Sequence, residues 1–368
     1  MKLNKIIIAG GGTGGHIFPA ISVANALRRI NPAIDVLFIG AKGKMEMEKV
    51  PQAGYTIKGL DIAGFNRSNL LMNWSLPFKL IRSFIQVKNI FKQFKPDAVF
   101  GVGGYSSFPV LKYAQSKGVP TFIHEANSFA GRSNIILGKK ASLIMVATEG
   151  MDKFFPSDKI IISGNPVRHE IAYSTVRREE AMEFFGMKSG KPTVLVIGGS
   201  LGARSINTAM AAGIEKLIGT GIQVIWQTGK GNLGMVSDNI KAKKEVCIAE
   251  FITKMNYAYT AADVVVSRAG AIALAEICAM KKPSVLVPFP HASEDHQTVN
   301  ASVLVKNHAA LMVQDSLATK DLIDELINLI SDSEKCNAFG AAAGKLYVND
   351  ADMLIANKII ETMSNKND

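Results

Sequence analysis

Several stretches of this chain place glycine at the end of an apolar run in a way that could hold phosphate. Gly10-Gly11-Gly12-Thr13-Gly14-Gly15-His16 follows Ile6-Ile7-Ile8-Ala9, Gly101-Val102-Gly103-Gly104-Tyr105-Ser106 follows Ala98-Val99-Phe100, and Gly198-Gly199-Ser200-Leu201-Gly202-Ala203-Arg204 follows Thr193-Val194-Leu195-Val196-Ile197. Ser267-Arg268-Ala269-Gly270 is a milder fourth case. Glycine lets backbone come close to a ligand and turn its N–H groups inward, and the helix that follows offers unpaired amides and the positive end of its dipole to an anion. One such turn could be merely a tight connection. Several, spread over both halves of the chain, predict phosphate-bearing ligands held between two domains at the carboxyl ends of strands.

Three other chemistries compete for these residues. Gly10-x-Gly12-x-x-Gly15 fits the dinucleotide fingerprint, but the second strand ends Phe38-Ile39-Gly40-Ala41-Lys42 without the acid that would bind a ribose, which argues against NAD. Gly198-Gly199-Ser200-Leu201-Gly202 fits the nucleophile elbow of a serine hydrolase, with Asp263 or Asp295 and His291 or His296 downstream in the required order. That alternative stays open, although it leaves the other glycine turns unexplained. Asp350-Ala351-Asp352 is the one D-x-D pair of the kind a metal-dependent transferase uses, yet it lies in a helical C-terminal segment where capping explains it, so no metal and no cofactor are expected.

The elements that must position these turns alternate between strand and helix. Apolar, β-branched runs at residues 6, 36, 98, 121, 143 and 160 form one series, and runs at 193, 223, 246, 264, 284 and 309 form a second. They are almost uniformly apolar rather than alternating, as for parallel strands covered on both faces. The fold class read from them is α/β, with two Rossmann-like doubly wound domains. Gly164-Asn165-Pro166 marks the hinge, giving an N-terminal domain of 1–165 and a C-terminal domain of 166–349, with an amphipathic helix at about 350–368 that could pack back on the first. A length of 368 residues suits two domains, and 48% hydrophobic with 20% charged residues excludes a disordered chain. Three scattered cysteines support neither a disulfide framework nor a zinc site and fit a reducing, cytoplasmic setting. The charge-free stretch from Ile6 to Leu27 holds five glycines and Pro19, so it reads neither as a signal peptide nor as a membrane span.

The strings GGTGGHIFPA at 11, GVGGYSSFP at 101, HEANSFAGRSN at 124, GNPVR at 164, GGSLGARSIN at 198, FITKM at 251, SRAGAIALAE at 267 and PFPHASEDHQTVNA at 288 together resemble the bacterial N-acetylglucosaminyltransferases that act on undecaprenyl-pyrophosphoryl-muramoyl-pentapeptide. The resemblance runs in order along nearly the whole chain. It implies the two-domain GT-B fold, with the domains facing across a cleft. The implied activity is an inverting, metal-independent transfer from UDP-N-acetylglucosamine that turns lipid I into lipid II in peptidoglycan synthesis. By position, it implies that Thr13, Gly14 and Gly15 face the sugar nucleotide, that His16 is the histidine of that turn, and that Asn127 lies near the transferred sugar. Arg168 and Ser200 would contact the phosphates, Ile252 the uracil, Glu276 the ribose and Gln297 the sugar hydroxyls, with Arg268 of the fourth turn grouped among the donor contacts. Gly103, Gly104, Tyr105 and Ser106 would take the acceptor diphosphate. Ala126 departs from the family pattern, where glutamine is usual, and His296 beside Gln297 departs from those relatives that have a glutamine pair. A transferase with a different sugar or acceptor, or a non-catalytic nucleotide-sugar binder, remains as an alternative.

In an inverting transfer the acceptor hydroxyl attacks as UDP leaves, so a base is needed on one side and charge stabilisation on the other. His16 is the candidate base, with a phosphate contact or helix cap as its other reading. Backbone amides of the Ser200 turn, with Arg168 or Arg204, would meet the departing charge. His124-Glu125 reads as a structural pair orienting Asn127. Glu276 could also be an ordinary solvated helix acid. Residues 65–95 carry Arg67, Lys79, Arg82, Lys88, Lys92 and Lys95 without an acid, interleaved with Leu70, Leu71, Met72, Trp74, Phe78, Ile81, Phe84, Ile85 and Phe91. With a net charge of +11, this reads as a peripheral contact with an anionic membrane surface on its cytoplasmic face, or else as a helix whose apolar stripe is core. No nucleic-acid module is present. The expected partners are therefore the nucleotide sugar, the lipid-linked acceptor and the membrane, with other cell-wall enzymes as candidates.

Overall fold

A computed structural model describes residues 3–12, 14–64, 74 and 76–365. The chain forms two compact units, one made of the residues up to Val167 together with those from Asn349 onward, the other of Arg168–Val348.

In unit 1, strands β1 (Lys5–Ala9), β2 (Asp35–Ala41), β3 (Thr56–Leu60), β4 (Ala98–Gly101), β5 (Thr121–Glu125), β6 (Leu143–Val146) and β7 (Ile160–Ile162) form a parallel sheet in the order β3-β2-β1-β4-β5-β6-β7. The uniform apolarity of β1 has a direct cause. Ile6 and Ile8 pack against Val23 and Leu27 of helix Gly14–Ile30 on one face, while Ile7 packs against Val87 and Leu111 on the other. Strand β3 is absent from the sequence reading because it is an edge strand, where Thr56 and Lys58 are exposed and only Leu60 is fully buried.

Unit 2 repeats the plan with β8 (Thr193–Ile197), β9 (Gln223–Gln227), β10 (Val246–Ala249), β11 (Val264–Ser267), β12 (Ser284–Leu286) and β13 (Ala310–Met312), all parallel, in the order β10-β9-β8-β11-β12-β13. In each sheet the order reverses beside the first strand, between β1 and β4 and between β8 and β11, so the turns that leave these strands diverge and open a crevice at their carboxyl ends.

Helix Ala351–Ser364 returns to unit 1, where Ile355, Ala356, Ile359 and Met363 pack against Ile17, Ala20, Val23 and Leu27. Burying Ile355, Ile359 and Met363 contributes on the order of 2 kcal/mol each. Asp352 of the D-x-D pair forms a 2.7 Å ion pair with Arg29, while Asp350 precedes the helix in a left-handed conformation and its side chain caps no amide.

Candidate active site

In unit 1 the first glycine turn runs directly into helix Gly14–Ile30, so Gly14, Gly15 and His16 form its first turn, where backbone N–H groups lack intrahelical acceptors. Thr13 lies outside the described residues. The imidazole of His16 lies over Gly103, close enough that a methyl group there would sit 3.0 Å from Cε1. Val102 N–H donates to the Ala9 carbonyl at 3.0 Å, which sets the two glycine turns side by side. Among the described residues, the amides of Gly103, Gly104, Tyr105 and Ser106 have no hydrogen-bond acceptor, and helix Ser107–Ser116 continues from them. Four consecutive N–H groups at a helix start, none with an acceptor among the described residues, can act as an anion nest.

Glu125, buried at the end of β5, shapes the next turn. Its Oε1 accepts from the backbone N–H and Nδ2 of Asn127 at 3.1 and 3.2 Å, and its Oε2 accepts from Gly131 N–H at 3.0 Å and Asn134 Nδ2 at 2.8 Å. The expected orienting of Asn127 is thus present in the geometry. Ala126 contributes through its backbone, since its carbonyl accepts from Asn165 Nδ2 at 3.0 Å.

His124 is fully buried, with Nε2 3.1 Å from the Gly164 carbonyl. A carbonyl only accepts, so Nε2 carries the proton. Burial lowers its pKa to about 4, against the raising effect of that hydrogen bond and with a further lowering from nearby His16. The unfolded chain, with a histidine pKa of about 6.5, binds this proton before the folded one does. The neutral ring's contribution to stability is therefore complete above pH 6.5 and is lost as pH falls towards 4, in total about 3 kcal/mol. His124→Gln is expected to flatten this part of the stability–pH curve, as urea unfolding at pH 7 and pH 5 would measure.

A carboxylate that sequence reading passed over stands behind the first glycine turn. Glu46, at the start of helix Glu46–Gln52, is 1% exposed; its Oε2 accepts from Gly12 N–H and its Oε1 from Ala41 N–H, both at 2.9 Å. Tyr105 packs its ring near Gly12, and burial together with the Glu46 charge raises its phenol pKa.

In unit 2, Ser200 lies in the exposed turn between β8 and helix Arg204–Gly219. That turn is fastened to the turn after β9 by Lys230 N–H to the Ser200 carbonyl at 3.2 Å and by Asn232 Nδ2 to the Leu201 carbonyl at 2.9 Å. Gln227 ties in a third turn: its Nε2 donates to the Gly199 carbonyl at 3.1 Å and its Oε1 accepts from Ile252 N–H at 2.9 Å. As the last residue of an apolar strand, Gln227 gave only a faint signal, a lone buried amide.

Glu276, in helix Ala271–Ala279, is not a solvated helix acid. It is 6% exposed, its Oε1 accepts from Arg168 Nε at 3.0 Å and lies 2.9 Å from the other guanidinium nitrogen Nη2, and its Oε2 accepts from the buried Tyr259 hydroxyl at 3.1 Å. Burial raises its pKa and Arg168 opposes the rise. Gln297 accepts Phe289 N–H on Oε1 at 2.9 Å, so its amide nitrogen carries its donor capacity. Immediately before it, Glu294 and Asp295 are consecutive left-handed residues (φ 56° and 51°), and Asp295 accepts from the Thr298 hydroxyl at 2.7 Å.

Arg268 is committed to the fold: its Nη1 donates to the Val287 and Pro288 carbonyls at 3.0 and 3.1 Å and to Asp315 at 2.5 Å, and its Nη2 donates to Ser205 at 3.0 Å. These bonds brace the turns after β11 and β12. The serine-hydrolase alternative finds no support, and the first of its two candidate acids stands away from Ser200. Asp263 precedes β11, at the opposite end of the sheet from Ser200, where it accepts from Thr193 N–H at 2.8 Å and from Arg178 at 2.7 Å.

Paired doubly wound units, each with ligand-ready turns at the carboxyl ends of its strands, are the architecture of nucleotide-sugar-dependent glycosyltransferases. Residues 6–146 match the glycosyltransferase family 28 N-terminal domain and residues 193–353 its C-terminal domain. The UDP-N-acetylglucosamine--N-acetylmuramyl-(pentapeptide) pyrophosphoryl-undecaprenol N-acetylglucosamine transferase of Phocaeicola vulgatus is 47% identical over 360 residues, covering 97% of this chain and 96% of that one. Its counterpart in Parabacteroides distasonis is 49% identical over 337 residues, covering 91% and 92%. The crystal structure of Acinetobacter baumannii MurG superimposes with a TM-score of 0.76 at 26% identity, over 98% of this chain and 99% of that one. The chain belongs to this family of glycosyltransferase family 28 enzymes.

Proposed function

We infer that the protein transfers N-acetylglucosamine from UDP-N-acetylglucosamine to undecaprenyl-pyrophosphoryl-N-acetylmuramyl-pentapeptide, the step from lipid I to lipid II in peptidoglycan synthesis. The observation that supports the residue roles is the placement of His16 beside four amides without an acceptor among the described residues, a base next to an anion nest. The nest, Gly103 to Ser106, holds the acceptor diphosphate. His16 takes the proton of the attacking 4-hydroxyl, and Asn127 binds the sugar. In unit 2 the Ser200 turn and Arg168 meet the charge that develops on UDP, the carbonyl of Ile252 reads the uracil, Glu276 receives the ribose hydroxyls on its remaining lone pairs and Gln297 donates to the sugar. Charge stabilisation by such fixed amides grows with the negative charge on the leaving group. UDP release that depends on the lipid-linked acceptor tests transfer against mere binding, and thermal-shift competition among UDP, UDP-glucose and UDP-N-acetylglucosamine tests the donor.

Peripheral contact with an anionic membrane is part of this reading. Helix Leu76–Phe94 divides its apolar residues: Val87 and Phe91 cover the sheet, while Phe78, Ile81 and Ile85, with Trp74 just before the helix, are exposed. Lys88 and Lys92 extend the exposed row at helical spacing, and with Lys95 and Lys117 they line a hollow of about 390 Å³. Arg67, Leu70, Leu71 and Met72 lie outside the described residues. Among the described residues no helix is long and apolar enough to cross a membrane. At about 1 kcal/mol per basic residue near an anionic surface, replacing Lys88, Lys92 and Lys95 by Gln is expected to weaken vesicle binding about 100-fold at low salt. Cosedimentation with phosphatidylglycerol vesicles measures this, and undiminished binding would reject the surface.

A further inference from the structure

We propose that Glu46 is the positioning residue of the first glycine turn, the internal anion that sets where His16 points. The first glycine turn and the end of β2 leave room for it. A methyl group at Gly11 would fall 2.3 Å from the Glu46 carboxyl carbon, and one at Gly40 would fall 2.4 Å from its Cγ. The carboxylate in that space joins the end of β2, through Ala41 N–H, to the turn that precedes His16, through Gly12 N–H.

The location explains the choice of residue. In dinucleotide-binding folds an acid after the second strand points outward to a ribose. Here the acid comes a few residues later and points back into the turn, where it answers Gly12 N–H from inside the protein. That amide is then closed to a ligand phosphate. Gly12 thus serves to hold the turn, and the amides of the helix start and of Gly103 to Ser106 are left for ligands. The same charge reaches Tyr105 on the neighbouring turn. The inference rests on the reading of His16 as the base, and it concerns a residue that acts through the turn and not on the substrate.

Glutamine has the same shape but a single oxygen, so in Glu46→Gln one of the two backbone N–H groups meets an NH2 group instead of an acceptor. A displacement of about 1 Å in a turn that carries a base can cost on the order of 100-fold in rate. The expected result for Glu46→Gln is a kcat lowered about 10- to 100-fold with the KM for UDP-N-acetylglucosamine unchanged within about threefold.

Gly40→Ala, which adds no left-handed residue and does not touch the first turn, should reproduce the loss by pushing the carboxylate aside, and it serves if Glu46→Gln folds poorly. Full kcat in both Glu46→Gln and Gly40→Ala, or a donor KM that moves as much as kcat, would each overturn the proposal. Intact turnover in His16→Ala alongside matching losses in Glu46→Gln and Gly40→Ala would instead reject the base assignment while sustaining the brace.

Discussion

His16→Ala is expected to lower kcat by about 10² to 10⁴ while the Kd for UDP stays within a few-fold of its original value. The imidazole sits in the first turn of helix Gly14–Ile30, beside the second glycine turn. Its neighbour His124 is held neutral by burial and adds no competing fixed charge. The ring also lies against Gly103, at the edge of the nest assigned to the acceptor, which is where a base for the acceptor hydroxyl must be. Steady-state turnover at saturating donor and acceptor, compared with UDP titration calorimetry, separates the two readings of this residue. A variant that turns over normally when saturated but binds UDP poorly would make the histidine a phosphate contact.

Glu276→Ala is expected to lose both stability and donor affinity. It leaves the Arg168 guanidinium, 22% exposed, and the fully buried Tyr259 hydroxyl without their shared acceptor. Breaking a buried pair from one side costs about 3 kcal/mol. Losing charge-assisted bonds to a ribose raises the donor KM by about 10- to 100-fold. Glu276→Gln separates the effects, because it keeps the volume and one oxygen and so retains more stability while still weakening a two-hydroxyl contact. Urea unfolding and donor KM would be measured on both variants. An unchanged donor KM in Glu276→Gln would reduce Glu276 to a brace for Arg168.

The strands of both units could be read from the chain because nearly all are covered on both faces, which forces runs such as Ile6-Ile7-Ile8 to be apolar throughout. The glycine turns were legible for the complementary reason that close backbone approach admits no side chain. What escaped notice was reciprocal geometry. Glu46 looks like one helix acid among several, and only the fold shows it turned back against Gly12. Arg268 follows a strand as a phosphate ligand would, and only the fold shows it also bound to the carbonyls after β12 and to Asp315. Asp263 and Ser200 satisfy a chain-order rule for a triad while standing at opposite ends of the sheet, since chain order carries no information about which end of a strand a residue occupies.

The return of helix Ala351–Ser364 to unit 1 also shapes how the molecule is made. As the chain leaves the ribosome, the surface of helix Gly14–Ile30 formed by Ala20, Val23, Ala24 and Leu27 waits uncovered while Arg168 through Val348 is translated. At bacterial elongation speeds that wait is roughly ten to forty seconds. Unit 2, contiguous in the chain, can finish first, so the half that holds His16 is completed last although its synthesis began first.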